Sequence, residues 1–166
     1  MPHPNPSPKE RGFALQSTAE FFSMSKNFFS PEEHDRITSA IREAENQTSG
    51  EIRLFIEKHC KVDVLDRAAF IFHKLGIDNT KYRNGVLIYI AYEDRKFAII
   101  GDAGINALVE NNFWDLIKED MQKHFAEGKY AEGLSSGIHR SGEALKKYFP
   151  FEAGDKNELS DEIALG

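Results

Sequence analysis

This sequence predicts a three-layer α/β/α sandwich around a mixed sheet. Three observations carry the prediction. Two strand-like stretches, "EIRLFIEK" and "GVLIYIAY", flank a segment of helical periodicity, which makes a parallel βαβ crossover. The polar turn "YEDRK" then interrupts an apolar run that resumes as "FAII", which adds an antiparallel hairpin strand. Apolar stripes at helical spacing lie before and after these strands, enough to cover both faces of a sheet.

Taken in order, the chain opens with residues 1–27, which hold Pro2, Pro4, Pro6 and Pro8 and few periodic apolar positions. They are expected to be a disordered extension. Met24 begins "MSKNFFSPEEH", which reads as a natural start, so the earlier residues look like a mis-assigned extension. The aromatic-rich "FFSMSKNFF" is expected to dock on the core rather than to anchor in a membrane. Ser30-Pro31-Glu32-Glu33 is a helix start, with Ser30 as cap, Pro31 in the first turn and Glu33 closing a capping box. Ile37, Ile41 and Ala44 follow on one face, and the helix is expected to end near "ENQTSG", at Gly50.

In the first strand, Ile52, Leu54 and Ile56 alternate with Glu51, Arg53 and Glu57, with Phe55 partly covering the second face. "DVLDRAAFIFHKLG" places Leu65, Ala68, Ala69, Phe72 and Leu75 at helical spacing, with Asp63 as cap and Gly76 as stop. The continuous apolar run from Gly85 suits a central strand covered on both faces. Two further helical stripes follow, Phe113, Leu116, Ile117, Met121 and Phe125, then Leu134, Ile138, Leu145 and Tyr148, separated by "EGKYAEG". Residues 28–149 form the predicted domain. Residues 150–166, "PFEAGDKNELSDEIALG", read as an acidic tail and a candidate docking segment for a protein partner.

The 166 residues are 40% apolar and 29% charged, the balance of a soluble globular chain. With 27 acidic and 21 basic side chains the formal net charge is −6, which argues against a broad nucleic-acid-binding surface. No apolar run approaches the roughly 20 residues that span a bilayer. The single cysteine, Cys60, rules out an intramolecular disulfide and a multi-cysteine zinc site. The N-terminus lacks the pattern of a secretory signal. A cytoplasmic monomer is expected.

Strand direction now singles out one edge of the sheet. The strands that start at Glu51 and Gly85 are parallel, and the strand ending at Gly101 returns antiparallel, so Glu51, Asn84 and Asp102 meet at one rim. Two carboxylates and an amide oxygen are hard donors that suit Ca²⁺, or Mg²⁺, better than soft metals. Calcium wants roughly six to eight oxygens. Asp78 on the neighbouring loop, backbone carbonyls around Gly101 and Gly104, and water are the candidates to supply the rest. Gly104 permits an unusual backbone path. The structural alternatives are equally concrete. Asp102 before "AGINALV" is a good helix cap, Asn84-Gly85 is ordinary turn chemistry, and Glu51 has Arg53, Lys81 and Arg83 as candidate ion-pair partners.

Other groups point less clearly to chemistry. His59 and Cys60 are adjacent on a strand and so face opposite ways, which suits structural roles. His73, His124 and His139 lie on separate helices without metal spacing. The phosphate-loop, dinucleotide and nucleophile-elbow signatures are absent, and no nucleophile–base pair stands out.

The segments "GEIRLFIE", "RNGVLIYIAYEDRKFAIIGDAGI" and "FAEGKYAEGLSSGI", in this order, resemble the TPM domain over residues 28–149. That family includes thylakoid-lumen proteins linked to photosystem II repair and a nematode modulator of acetylcholine receptors. The resemblance implies an α/β/α sandwich with a divalent-cation site at a sheet edge, at positions matching Glu51, Asn84, Gly101, Asp102 and Gly104. The leading expectation is a domain that binds the cation in an interaction or regulatory role. Acid phosphatase activity is attributed to plant members, so a metal-dependent phosphomonoesterase, with Lys81 or Arg83 stabilising negative charge, is the alternative; a protein-binding domain without metal is another. The family's "GYGLE"-like turn stands here as "GDAGI", with Asp102 in place of the aromatic residue. The signal peptide and membrane helix of many relatives have no counterpart in this sequence, which resembles a soluble bacterial subfamily.

Overall fold

The computed structural model describes residues 28–151. The expected extension over 1–27, the expected natural start at Met24 and all but the first two residues of the expected tail over 150–166 lie outside the described residues.

Helix α1 spans Pro31–Glu45. Ser30 Oγ accepts the Glu33 amide at 3.1 Å and Glu33 Oε1 accepts the Ser30 amide at 2.9 Å, so the capping box is complete. The helix stops at Glu45, ahead of Gly50. Gly50 has a different task from the one expected, because a Cβ there would lie 2.7 Å from the Leu145 side chain. It lets the last helix pack tightly against the start of the sheet.

Strands β1 (Glu51–Glu57), β2 (Gly85–Ala91) and β3 (Lys96–Gly101) form one sheet in the order β1-β2-β3. β1 and β2 are parallel, with Glu51 opposite Gly85, and β2 and β3 are antiparallel, with Val86 opposite Gly101. Helix α2 (Val64–Lys74) makes the crossover, capped by Asp63 on the amides of Leu65 and Asp66. It stops at Gly76, whose φ of 73° is the left-handed conformation glycine tolerates best. A short 3₁₀ turn, Ile77–Asn79, leads back to the rim. After β3 come α3 (Ala103–Asn106), α4 (Phe113–Ala126) and α5 (Tyr130–Tyr148). α5 begins inside the "EGKYAEG" stretch expected to be a linker, so only residues 127–129 separate the two long helices.

The sheet is buried on both faces. Ile52, Leu54 and Ile56 of β1 and Val86, Ile88 and Ile90 of β2 meet α1, α4 and α5. Phe55, Leu87, Tyr89 and Ala98 meet α2. Three layers result, with β2 in the middle of the middle layer. Phe29 is buried in the larger core, and Phe28 stacks on Tyr92 with ring centroids 4.4 Å apart. This is where the end of "FFSMSKNFF" docks.

Three expected core positions are exposed instead, Leu65 at 55%, Leu116 at 49%, and Ala69. Helix α2 buries Ala68, Ile71 and Phe72. At 3.6 residues per turn, Leu65 lies about 70° from the centre of that stripe and Ala69 farther still. Leu116 is likewise about 120° off the Ile117–Met121 stripe of α4. The approximate spacing held, but the stripes are narrower than the apolar residues suggest.

Candidate cation site at the sheet rim

The backbone brings the predicted residues to one rim. The Glu51 amide donates to Asn84 O at 3.4 Å, and the Asp102 amide donates to Gly85 O at 2.9 Å. Glu51, Gly85 and Asp102 therefore form a row across the three strand ends, and all of Glu51, Asn84 and Asp102 are buried.

Their side chains do not form a closed cluster. Glu51 and Asp102 are two strand spacings apart, about 10 Å between backbones. The gap over Gly85 is filled by Ile77, whose Cγ2 lies 2.4 Å from where a Gly85 Cβ would be. Asn84, one residue before Gly85, reaches the other way and donates from Nδ2 to Ser49 Oγ at 3.3 Å. Among the described residues, no three His, Cys, Asp or Glu side chains are grouped so that they could hold a metal ion.

Asp102 does two structural jobs at once. Its Oδ1 accepts the Ala103 amide at 2.7 Å, so it caps α3. Both oxygens also accept from Arg83, Oδ2 from Nε and Oδ1 from Nη2, each at 2.8 Å. This is the bidentate fork that matches guanidinium to carboxylate. The Asp102 side chain is 5% exposed and that of Arg83 is 51% exposed, so the carboxylate is inside and its covering cation outside. The pair holds the Arg83 guanidinium above its ordinary pKa through the hydrogen bond and charge of Asp102. Arg83 was an expected partner of Glu51; its side chain goes to Asp102 instead. Its fork is thereby committed to a carboxylate rather than open to a phosphate.

Two loops are stitched together here. Arg83 sits at φ 52°, a left-handed conformation uncommon for arginine. Its carbonyl accepts the amides of Gly104 at 2.8 Å and Ile105 at 3.3 Å. A Cβ on Gly104 would lie 2.0 Å from Tyr82 O and 2.6 Å from Arg83 O, so only glycine fits. The glycine is there for close backbone approach rather than for the unusual backbone path expected of it, since its φ is not in the left-handed region. The Gly101 backbone carbonyl accepts from Asn106 Nδ2 at 2.8 Å. Tyr82 O, facing Gly104, is an oxygen that sequence reasoning missed. Nothing in the residue types marks a main-chain carbonyl; only the folded loop does.

The remaining charges are partly balanced. Arg53, 2% exposed, reaches Leu75 O at 3.4 Å through Nη2, while its Nε and Nη1 are buried without a hydrogen bond. Burial lowers its pKa to about 10, and the charges of Glu51 and Glu45 oppose that fall. Asp78 Oδ2 lies 2.7 Å from His73 Nδ1, and this hydrogen bond holds the Asp78 carboxyl below its ordinary range. Asp78 Oδ1 and Asn84 Oδ1 are buried and accept no hydrogen bond. Unsatisfied buried oxygens of this kind are costly unless water or an ion meets them. Oxygen-only donors of this sort fit a hard cation.

The opposite end of the sheet is saturated. Glu57 accepts a fork from Arg67, at 2.9 and 3.0 Å, and a hydrogen bond from the Tyr89 hydroxyl. Burial first, then Glu57, raises the Tyr89 pKa. His59 lies between Glu93 and Asp94, while Cys60 is buried and gives its thiol hydrogen to Val62 O. These are structural roles, although His59 and Cys60 lie just past the end of β1 and not on the strand as expected.

The family model described as the TPM domain matches residues 23–144. Among solved structures, the BA42 protein of the psychrophilic bacterium Bizionia argentinensis is 49% identical, with a TM-score of 0.75, over 82% of this chain and 94% of that one. The N-terminal domain of a protein from P. gingivalis is 18% identical with a TM-score of 0.62, over 81% of this chain and 94% of that one. The N-terminal domain of the cg2496 protein from Corynebacterium glutamicum is 14% identical with a TM-score of 0.58, over 72% of this chain and 75% of that one. The last two show likeness of fold alone. No curated protein matches the chain.

Proposed function

Because the chain belongs to the TPM domain family, we propose that it is a regulatory or interaction module that binds a divalent cation at the sheet rim, centred on Asp102. The observation that carries this reading is a pair of buried oxygens on the loops of this rim, Asn84 Oδ1 and Asp78 Oδ1, that accept no hydrogen bond. Asp102 supplies the charge. Asn84, Asp78, the Tyr82 carbonyl and water supply further oxygens, and Glu51 adds negative potential at the other end of the row. Calcium is the better candidate than magnesium. Its larger, irregular coordination shell tolerates donors spread over two loops, whereas magnesium demands near-ideal octahedral geometry.

A cation here would tie the 80–84 loop to the 101–105 loop. The same rim leads to the root of the acidic tail, since Asn84 bonds Ser49, the Ser49 amide donates to Phe149 O, and the Phe151 amide donates to Gln47 O. That continuity supports a role in which cation occupancy governs a protein partner docked through the tail. A monomer in a reducing compartment is the proposed setting, in keeping with one buried free thiol.

Thermal unfolding tests the reading. A ligand that binds only the folded state raises Tm, and calcium at ten times its Kd should raise it by about 5 °C. The rise should saturate and vanish with chelator. An unchanged Tm in millimolar calcium would sink the proposal.

A further inference from the structure

The Arg83–Asp102 pair has a geometry that a structural staple alone does not require. The carboxylate is buried while the guanidinium that covers it is half in solvent. Both Asp102 oxygens are engaged by the fork, so no cation can bind that carboxylate through both oxygens while Arg83 stays. The loop stitching, moreover, does not depend on the side chain. It runs through Arg83 O to Gly104 and Ile105, and through the Asp102 amide to Gly85 O.

We propose that the Arg83 side chain is a built-in competitor of the cation: it neutralises Asp102 in the empty state and swings into solvent when the metal arrives. This inference rests on the cation reading above and assigns the control of that same site. A buried carboxylate without a counter-charge is costly, so an empty cation site needs a substitute. An exposed arginine is a cheap one to remove, because its charge is readily solvated once released. The exchange swaps one positive charge for two and turns a guanidinium outward beside Lys81, on a rim that was closed. Cation affinity is thereby set by how well Arg83 holds Asp102, and not only by the number of oxygen donors.

The experiment is a calcium chloride titration of the full chain, wild type beside Arg83→Gln, followed by calorimetry, with the Arg83 Nε–Hε resonance of the wild type followed by NMR. Removing the competitor should tighten calcium binding by about fivefold. The Arg83 Nε–Hε signal should leave its hydrogen-bonded position as calcium saturates the wild type. Equal or weaker binding by a folded Arg83→Gln protein would overturn the competitor role while leaving the cation site standing. So would an Arg83 resonance unmoved at saturation, which decides the matter even if the variant does not fold. If neither protein binds calcium at millimolar concentration, the cation reading fails and this inference with it.

Discussion

At Asp102 one carboxylate serves helix α3, the Arg83 fork and the proposed cation. The first two roles are compatible because they use the oxygens from different directions, Ala103 along the chain and Arg83 across it. Gly104, two residues on, has no such latitude. A methyl group there would meet two backbone carbonyls rather than a side chain that can turn away. Gly104→Ala is expected to destabilise the fold by about 2 kcal/mol or more, read as a lower urea midpoint. Asp94 gives a pH-dependent prediction. Hydrogen bonds from the His59 ring and the Cys60 amide hold its carboxyl below its unfolded value. Its contribution to stability is therefore complete above the unfolded pKa of about 4 and is lost as pH falls through the depressed folded value. Asp94→Asn should flatten the acid limb of the stability curve relative to wild type; an unchanged slope below pH 4 would contradict this.

Among the elements, the strands were the most legible part of the sequence. Alternation in "EIRLFIEK" and the unbroken run of "GVLIYIAY" gave their type, and one crossover plus one hairpin gave their directions. Those directions suffice to place Glu51, Asn84 and Asp102 at one edge. What they leave open is how side chains fill the space between. Ile77 over Gly85 and Arg83 over Asp102 depend on a 3₁₀ turn and a left-handed residue, neither of which has a sequence period. The α2 face shows the same limit, since Leu65 has the right spacing yet lies on the flank of the buried stripe. At the other end of β1, the buried Glu57 is held by the Arg67 fork and Tyr89. Arg67→Ala leaves that carboxylate buried without its counter-charge and should cost about 3 kcal/mol. Arg67→Met, tested with Glu57→Gln, should recover much of the loss if charge is the cause.

For the molecule as a whole, one buried sheet with helices on both faces makes the rim a stiff frame for two loops. Ile88 and Met121 are fully buried in the larger core. Truncating Ile88 to Ala should cost about 3 kcal/mol, and it should leave the rim's chemistry intact in the protein that remains folded. Among the described residues no helix is long and apolar enough to cross a membrane. Cation binding at the rim is best tested residue by residue. A calcium titration followed by amide NMR should give saturable shifts confined to Glu51, Asp78, Tyr82–Gly85 and Asp102–Ile105. They should be lost in a folded Asp102→Asn protein and weakened in Asn84→Ala. Rim amides that stay fixed at millimolar calcium, or shifts that persist undiminished in both variants, would contradict it.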